Sequence, residues 1–278
     1  MSVNATKAPS TEQISNLPET THLNIAKRLF LDVLAALTAA CSVSPIVAAV
    51  DKAVIESSTL LRPLTTTFLT TLQTTLLNPT HFFTSPSYRP MLLLYTGTYL
   101  AANASDTLTS LSSSPPLPAT STSTSAPKLA AVTATNLLLS LHKDTSFARA
   151  FGASAARFPA VAYPPFVVRD VITLTASFAL PGVLAPHLPP ELERVVSRTT
   201  AAQLTAPALS QWAATPLHLF ALDLHARRGR LGYGERWGRV RQGWVGASVA
   251  RMARVLPAYG VGAVVNGRVR EGLMGRFG

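Results

Sequence analysis

Residues 88–103, YRPMLLLYTGTYLAAN, residues 168–186, VRDVITLTASFALPGVLAP, and residues 250–267, ARMARVLPAYGVGAVVNG, share one plan. Each is an apolar run with an arginine near its start: Arg89, Arg169 and Arg254, spaced 80 and 85 residues apart. Each also follows an earlier uncharged run closed by charged residues. Val33–Val50 ends at Asp51 and Lys52, Leu129–His142 at Lys143 and Asp144, and Thr199–Leu222 at Asp223 and Arg227. A pattern met three times predicts an all-α integral membrane protein: six transmembrane helices in three tandem helix-pair repeats with pseudo-threefold symmetry. A charge inside such a helix is costly and is kept where it faces a polar cavity. The three arginines are therefore the candidate solute-binding residues, the alternative for each being to snorkel to the headgroups; Asp170 beside Arg169 either neutralises it or belongs to the site.

Composition supports a membrane class. Hydrophobic residues make up 47% of the 278, and charged residues only 13%, where a soluble domain carries about 25%. Mean hydropathy is a modest +0.27, because Thr and Ser are abundant. These residues are tolerated where they hydrogen-bond across a helix bundle. Several spans fall short of the ~20 apolar residues that cross a bilayer, so hydropathy alone does not separate this reading from a soluble helical bundle. Loop charge does. Segments 52–89, 143–169 and 225–243 carry net charges of +2, +3 and +5. Segments 1–28, 106–128, 187–200 and 267–278 carry +1, 0, 0 and +2. A bias by loop parity is what the positive-inside rule produces.

The organisation follows from this. Residues 1–24 are polar and expected to be disordered. Residues 25–278 form the transmembrane domain, with repeats at about 25–108, 129–190 and 199–272. Between the first two lies TSLSSSPPLPATSTSTSAP, residues 109–127, a composition that reads as a flexible loop. LTTTFLTTLQTTLLNPTHFF, residues 64–83, reads as a helix lying at the membrane interface with a stop at Pro79. The fourth span is placed at about Val161–His187 and the sixth at about Val245–Asn266. An Arg-rich linker joins the last two spans.

Pro45 and Pro216 sit late in the first and fifth spans. A proline removes one helical hydrogen bond and kinks the helix. Kinked helices can converge, so Asp51, Lys52, Lys143, Asp144, Asp223 and Arg227 are candidates for a ring of gate ion pairs. The bland reading of each pair is an interface charge marking a helix end. Asn103 and Asn266 end matching stretches, YTGTYLAAN and YGVGAVVN, and Gly97, Gly260 and Gly262 within them permit close helix approach.

Other chemistry is excluded by what is missing. Cys41 is the only cysteine, so no disulfide within the chain and no cysteine-based metal motif is possible. His218 and His225 stand near Asp223 but complete no ligand set. No nucleophile elbow and no phosphate-binding glycine loop occurs, so no enzyme and no cofactor is expected. Residues 225–278 hold 11 Arg and 2 Glu, yet no nucleic-acid motif accompanies them. The expected partners are a small anion and membrane lipid, including anionic lipid at the basic loops.

Tandem helix pairs, charges closing the odd helices, basic connections on one side, and the stretches VRDVITLTASF and VGASVARMARVLPAYGVGAVV resemble a divergent fungal-type member of the mitochondrial carrier family. The likeness covers about residues 25–272. It departs from that family's signature in the odd helices: the acids follow Pro45 and Pro216 by six and seven residues, where the signature has two, and the third span lacks the proline. The resemblance implies a multi-pass protein of the mitochondrial inner membrane that carries a small carboxylate by alternating access. It places the cargo at Arg169, Asp170 and Arg254, and less closely at Arg89. The alternatives are a carrier-like protein that no longer transports and serves as an assembly factor, and a soluble or peripheral basic helical protein.

Overall fold

The computed structural model describes residues 19–85, 88–115, 117–178, 180–229 and 231–277. The expected disorder of residues 1–24 falls largely outside this range. The described residues are all-α, without a strand. Ten α-helices are present: α1 Glu19–Leu60, α2 Leu64–Leu77, α3 Pro79–Thr84, α4 Tyr88–Ser112, α5 Ala126–Phe151, α6 Tyr163–Phe178, α7 Leu180–Leu184, α8 Arg198–Ala226, α9 Tyr233–Ala253 and α10 Gly262–Phe277.

Most expected spans coincide with helices, but two do not. The fourth is broken: the helical stretches Ala160–Ser177 and Leu180–His187 meet at 41°, where Pro181 lacks the N–H needed to continue a helix. The sixth is split by a π-helical turn over Leu256–Val261, at Pro257. The Arg-rich linker is helical from Tyr233 onward. Pro45 and Pro216 lie inside α1 and α8, which continue through them. Among the described residues only α1, over Asn24–Leu60, is long and apolar enough by itself to cross a membrane, and α6 with α7 qualifies as one bent span. The six-span, three-repeat architecture is thus only partly visible in the helices.

Beside a buried apolar core, many polar side chains lie inside and many large apolar ones outside. In α2 the threonines Thr67, Thr71 and Thr75 are buried at four-residue spacing, while Leu69, Leu76 and Leu77 are exposed. Asp32, Asp51, Asp144, Arg169, Arg251 and Arg270 are buried, while Leu138, Val171, Val183, Leu209, Val249 and Val264 are exposed. Water would penalise so much apolar surface, and lipid would not.

The chain divides into two compact units. Unit 1 takes the chain up to Ser42, Leu92–Leu139 and Val261–Gly278; unit 2 takes Val43–Met91 and Ser140–Gly260. In unit 1, α4 and α5 approach closely at Gly97: a Cβ there would stand 2.3 Å from Leu139 Cδ1. The amide of Asn136 donates to Thr98 Oγ1 across the same seam, at 3.3 Å. In unit 2, α8 packs against α6, α7 and α9, and Val50, Val54, Leu219, Val240 and Ala247 form an apolar core.

Candidate functional site

Pro216 shows how α8 is adapted to its place in unit 2. Its missing N–H leaves the carbonyl of Trp212 without its helical donor. The indole Nε1 of Trp244 on α9 donates to that carbonyl at 2.9 Å, and the two indoles meet edge to face. Further along, Arg251 Nε donates to Gln211 Oε1 at 3.2 Å, and Arg236 to Asp223. These contacts run in opposite order along the two helices, so α8 and α9 are antiparallel. Gln211 and His218 of α8, two turns apart, share one face.

On that face sits a buried ionic cluster. Lys143 Nζ on α5 lies 2.6 Å from Asp51 Oδ2 on α1 and 2.6 Å from Asp144 Oδ1. Arg169 on α6 reaches Asp144 Oδ2 at 2.5 Å and also pairs with its neighbour Asp170. Arg254, just after α9, donates to both oxygens of Asp51 at 2.8 and 2.9 Å. Arg169 Nη1 lies 2.8 Å from His218 Nδ1. A guanidinium only donates, so that nitrogen accepts and His218 carries its ring proton on Nε2. Phe166 and Phe147 lie beneath Arg169 and Lys143, with ring centroids 4.9 and 5.6 Å from their charges.

The six charges Asp51, Lys143, Asp144, Arg169, Asp170 and Arg254 balance. A seventh does not. Arg251 is 1% exposed and within electrostatic reach of Asp51, Asp144, Arg169 and Arg254, yet among the described residues it has no ion-pair partner within 4.0 Å. Its Nη1 has no hydrogen-bond partner, and neither has Asp170 Oδ2. Buried polar atoms are nearly always paired. The cluster therefore holds one excess cation with an open donor and one carboxylate with an open acceptor, a set suited to a ligand with both an acid and an amine.

The remaining candidates lie apart from this network. Arg89 is exposed. Lys52 pairs with Glu56 at 3.9 Å and faces the Phe151 ring. Asp223 pairs with Arg227 at 2.6 Å and with Arg236 at 2.5 Å, and Arg236 also caps the end of α8 through the carbonyls of Asp223 and Arg227. Of the gate candidates, Asp51, Lys143 and Asp144 thus form one group and Asp223 and Arg227 a second, while Lys52 stands apart with Glu56. His225 donates through Nε2 to the carbonyl of Ser154 at 2.9 Å and stacks on Phe158.

Sequence reasoning missed Arg251 and Gln211. Arg251 stands in the same R-x-x-R motif as Arg254, and three residues along a helix leave both on one face. Spacing cannot say which of the two is paired.

Buried charges inside a helical bundle and large apolar side chains on its outside are what a membrane protein carries. The chain belongs to the probable citrulline exporter family, whose model matches residues 35–274, from α1 into α10. That match overturns the resemblance to the mitochondrial carrier family. The shared features are those of any bundle that keeps arginines and helix-ending charges inside a membrane, and the carrier signature itself, an acid two residues after proline, is lacking. A search of curated proteins and of solved structures finds no match. The family is one of exporters, so the chain is a membrane protein of a transport family, and no catalytic role is implied. Placement in the mitochondrial inner membrane rests only on the overturned resemblance.

Proposed function

We propose that this chain exports a small zwitterionic amino acid of the citrulline type, and that the ionic cluster of unit 2 holds the solute's two charged ends. The observation that carries the reading is Arg251, a fully buried guanidinium with an open Nη1 and no carboxylate partner. A carboxylate fits a guanidinium through charge-assisted hydrogen bonds. The solute's ammonium would take the open Oδ2 of Asp170. Arg169 and Arg254 hold the carboxylates around the site and set its shape, while Asp51, Lys143 and Asp144 link the helices that carry them. The family's description supports the same solute class, a neutral side chain on an α-amino acid. A purely anionic carboxylate would satisfy Arg251 but leave Asp170 open.

We read α1, α4, α5, the bent pair α6–α7, α8 and the pair α9–α10 as the segments that enter the membrane. The exposed apolar side chains on them support this, as does the one-sided loop charge. Segments 52–89, 143–169 and 225–243 then share one face of the membrane, where their Arg and Lys meet anionic lipid.

Uptake into proteoliposomes tests the reading. Labelled citrulline should accumulate, unlabelled citrulline should compete, and succinate should compete poorly. Arg251→Met should abolish the signal while the protein remains resistant to carbonate extraction. Absence of citrulline uptake by the unaltered chain would overturn the reading and favour a non-transporting role.

A further inference from the structure

Unit 1 contains a cavity of about 390 Å³, well apart in the sequence from the residues of the ionic cluster. Asn103, Asp106, Thr122, Asn266, Arg270 and Glu271 are among its lining residues. The charges at its base are closed. Arg270 donates to Asp32 Oδ1 at 2.8 Å and to Thr107 Oγ1 at 3.1 Å, and Lys128 pairs with Asp106 at 2.7 Å. What distinguishes the cavity is a reciprocal pair of carboxamides. Asn103 Nδ2 donates to Asn266 Oδ1 at 3.0 Å, and Asn266 Nδ2 donates to Asn103 Oδ1 at 2.8 Å.

The two amides are not equivalent. Asn103 is buried, and its second N–H donates to the carbonyl of Asp32 at 3.2 Å. Its orientation is fixed. Asn266 is half-buried and uses one of its two N–H donors, so a donor and a carbonyl lone pair are left at the cavity edge. Glu271 forms no ion pair and is exposed at the same wall. The roof belongs to the Ser/Thr/Pro segment. Ser123 donates through N and Oγ to Asp106 Oδ1, at 2.7 and 3.0 Å, and its carbonyl accepts from Lys128. The segment that composition presents as a loose loop is tied over the cavity by these bonds.

We infer that this cavity is a second solute site, one that recognises a carboxamide or ureido group through Asn266 and Asn103. The inference rests on the proposed citrulline-type solute, whose ureido end carries the donors and acceptor this amide edge complements. A urea-like group would accept from the open N–H of Asn266 or donate to its open carbonyl lone pair, while the Asn103–Asn266 pair stays intact and fixes the orientation of Asn266. Glu271 stands where an amine on the same solute would be held.

The test uses the full chain in detergent with Cys41→Ser, and a single new thiol in the cavity wall. Gly267→Cys is suitable because a Cβ at Gly267 meets nothing within 4 Å, and Thr122→Cys reports from the roof. The rate of reaction with a polar maleimide is measured with citrulline, asparagine or norvaline. At about ten times the dissociation constant, citrulline and asparagine should each slow labelling about tenfold, since the free fraction falls as 1/(1 + [L]/Kd). Norvaline, which has no amide, should leave it unchanged. Asn266→Leu should abolish protection at Thr122→Cys without altering the unprotected rate. Equal protection by norvaline, protection that survives Asn266→Leu, or no protection by any of the three overturns the site. Citrulline uptake without protection removes this site and leaves the transport reading standing; protection without uptake does the reverse.

Discussion

The two units treat buried charge in opposite ways. In unit 1 each buried ion finds a partner: Asp32 with Arg270 and Thr107, Asp106 with Lys128 and Ser123. In unit 2 a larger network ends with Arg251 and Asp170 only partly matched. The units also differ in backbone. The prolines inside helices, Pro45, Pro207 and Pro216, all lie in unit 2, along with most of the π-helical turn. A closed ion pair is the cheapest way to keep a charge in an apolar surrounding, and it does no more than hold helices together. An open valence beside broken helical bonds costs stability and is retained where something else completes it. By that contrast the buried charges of unit 1 are closed among themselves, and those of unit 2 leave an open donor and an open acceptor.

The largest effects should come from breaking pairs. Arg169→Leu strands Asp170 and leaves Asp144 to Lys143 alone inside unit 2, and loss of one partner of a buried pair costs about 3–5 kcal/mol. The variant should be recovered only as aggregate on size-exclusion chromatography. Asp32→Ala should do the same in unit 1 by stranding Arg270. There, however, the double variant Asp32→Ala, Arg270→Met should recover monodisperse protein and uptake. A rescued fold without rescued uptake would show that the unit 1 charges do more than hold helices.

Arg251 sharpens the contrast from the other side. It has no ion pair to lose, and burying its open donor is a cost. Arg251→Met removes the unpaired charge but leaves Gln211 Oε1 without its donor, so thermal stability in detergent should stay within about 1 kcal/mol while uptake disappears. A variant that is both less stable and inactive would place Arg251 among the holding residues. Asp170→Asn should reduce uptake of the zwitterion more than it lowers stability, because Arg169 keeps Asp144 as a partner.

These contrasts also explain what could be read from residues alone. The candidates Asp51, Lys143, Asp144, Arg169, Asp170 and Arg254 were singled out by their repeated position at helix ends and in apolar runs, and the structure brings all six into one network. Arg89 met the same pattern and lies on the surface. Periodicity reports that a charge sits in a helix, not which way the helix faces. Asp32 and Arg270 left no signal, because their pairing spans 238 positions and each stands in an unremarkable setting. The six-helix count fared least well where prolines divide a span. Hydropathy averages across Pro181 and Pro257 and sees a single apolar run, whereas the missing N–H groups break it.

The smallest effect tests the backbone half of the comparison. The Trp212 carbonyl loses its helical donor at Pro216 and takes one from the Trp244 indole instead. Where lipid surrounds a helix, no water replaces a missing donor. Trp244→Phe keeps most of the ring contact with Trp212 but removes the N–H. It should lower stability by about 1 kcal/mol, the net worth of one hydrogen bond. Pro216→Ala restores an N–H at the position from which the helix would supply it, so the carbonyl again has a donor. The double variant should therefore regain most of the stability that Trp244→Phe loses, and a thermal denaturation series on the four proteins would show it as a coupling rather than a sum. If the two losses simply add, the indole is packing and not a substitute donor. If stability returns but uptake falls, the proline is kept for the freedom it gives α8 beside Gln211 and His218, and the backbone of unit 2, like its charges, is arranged for the solute.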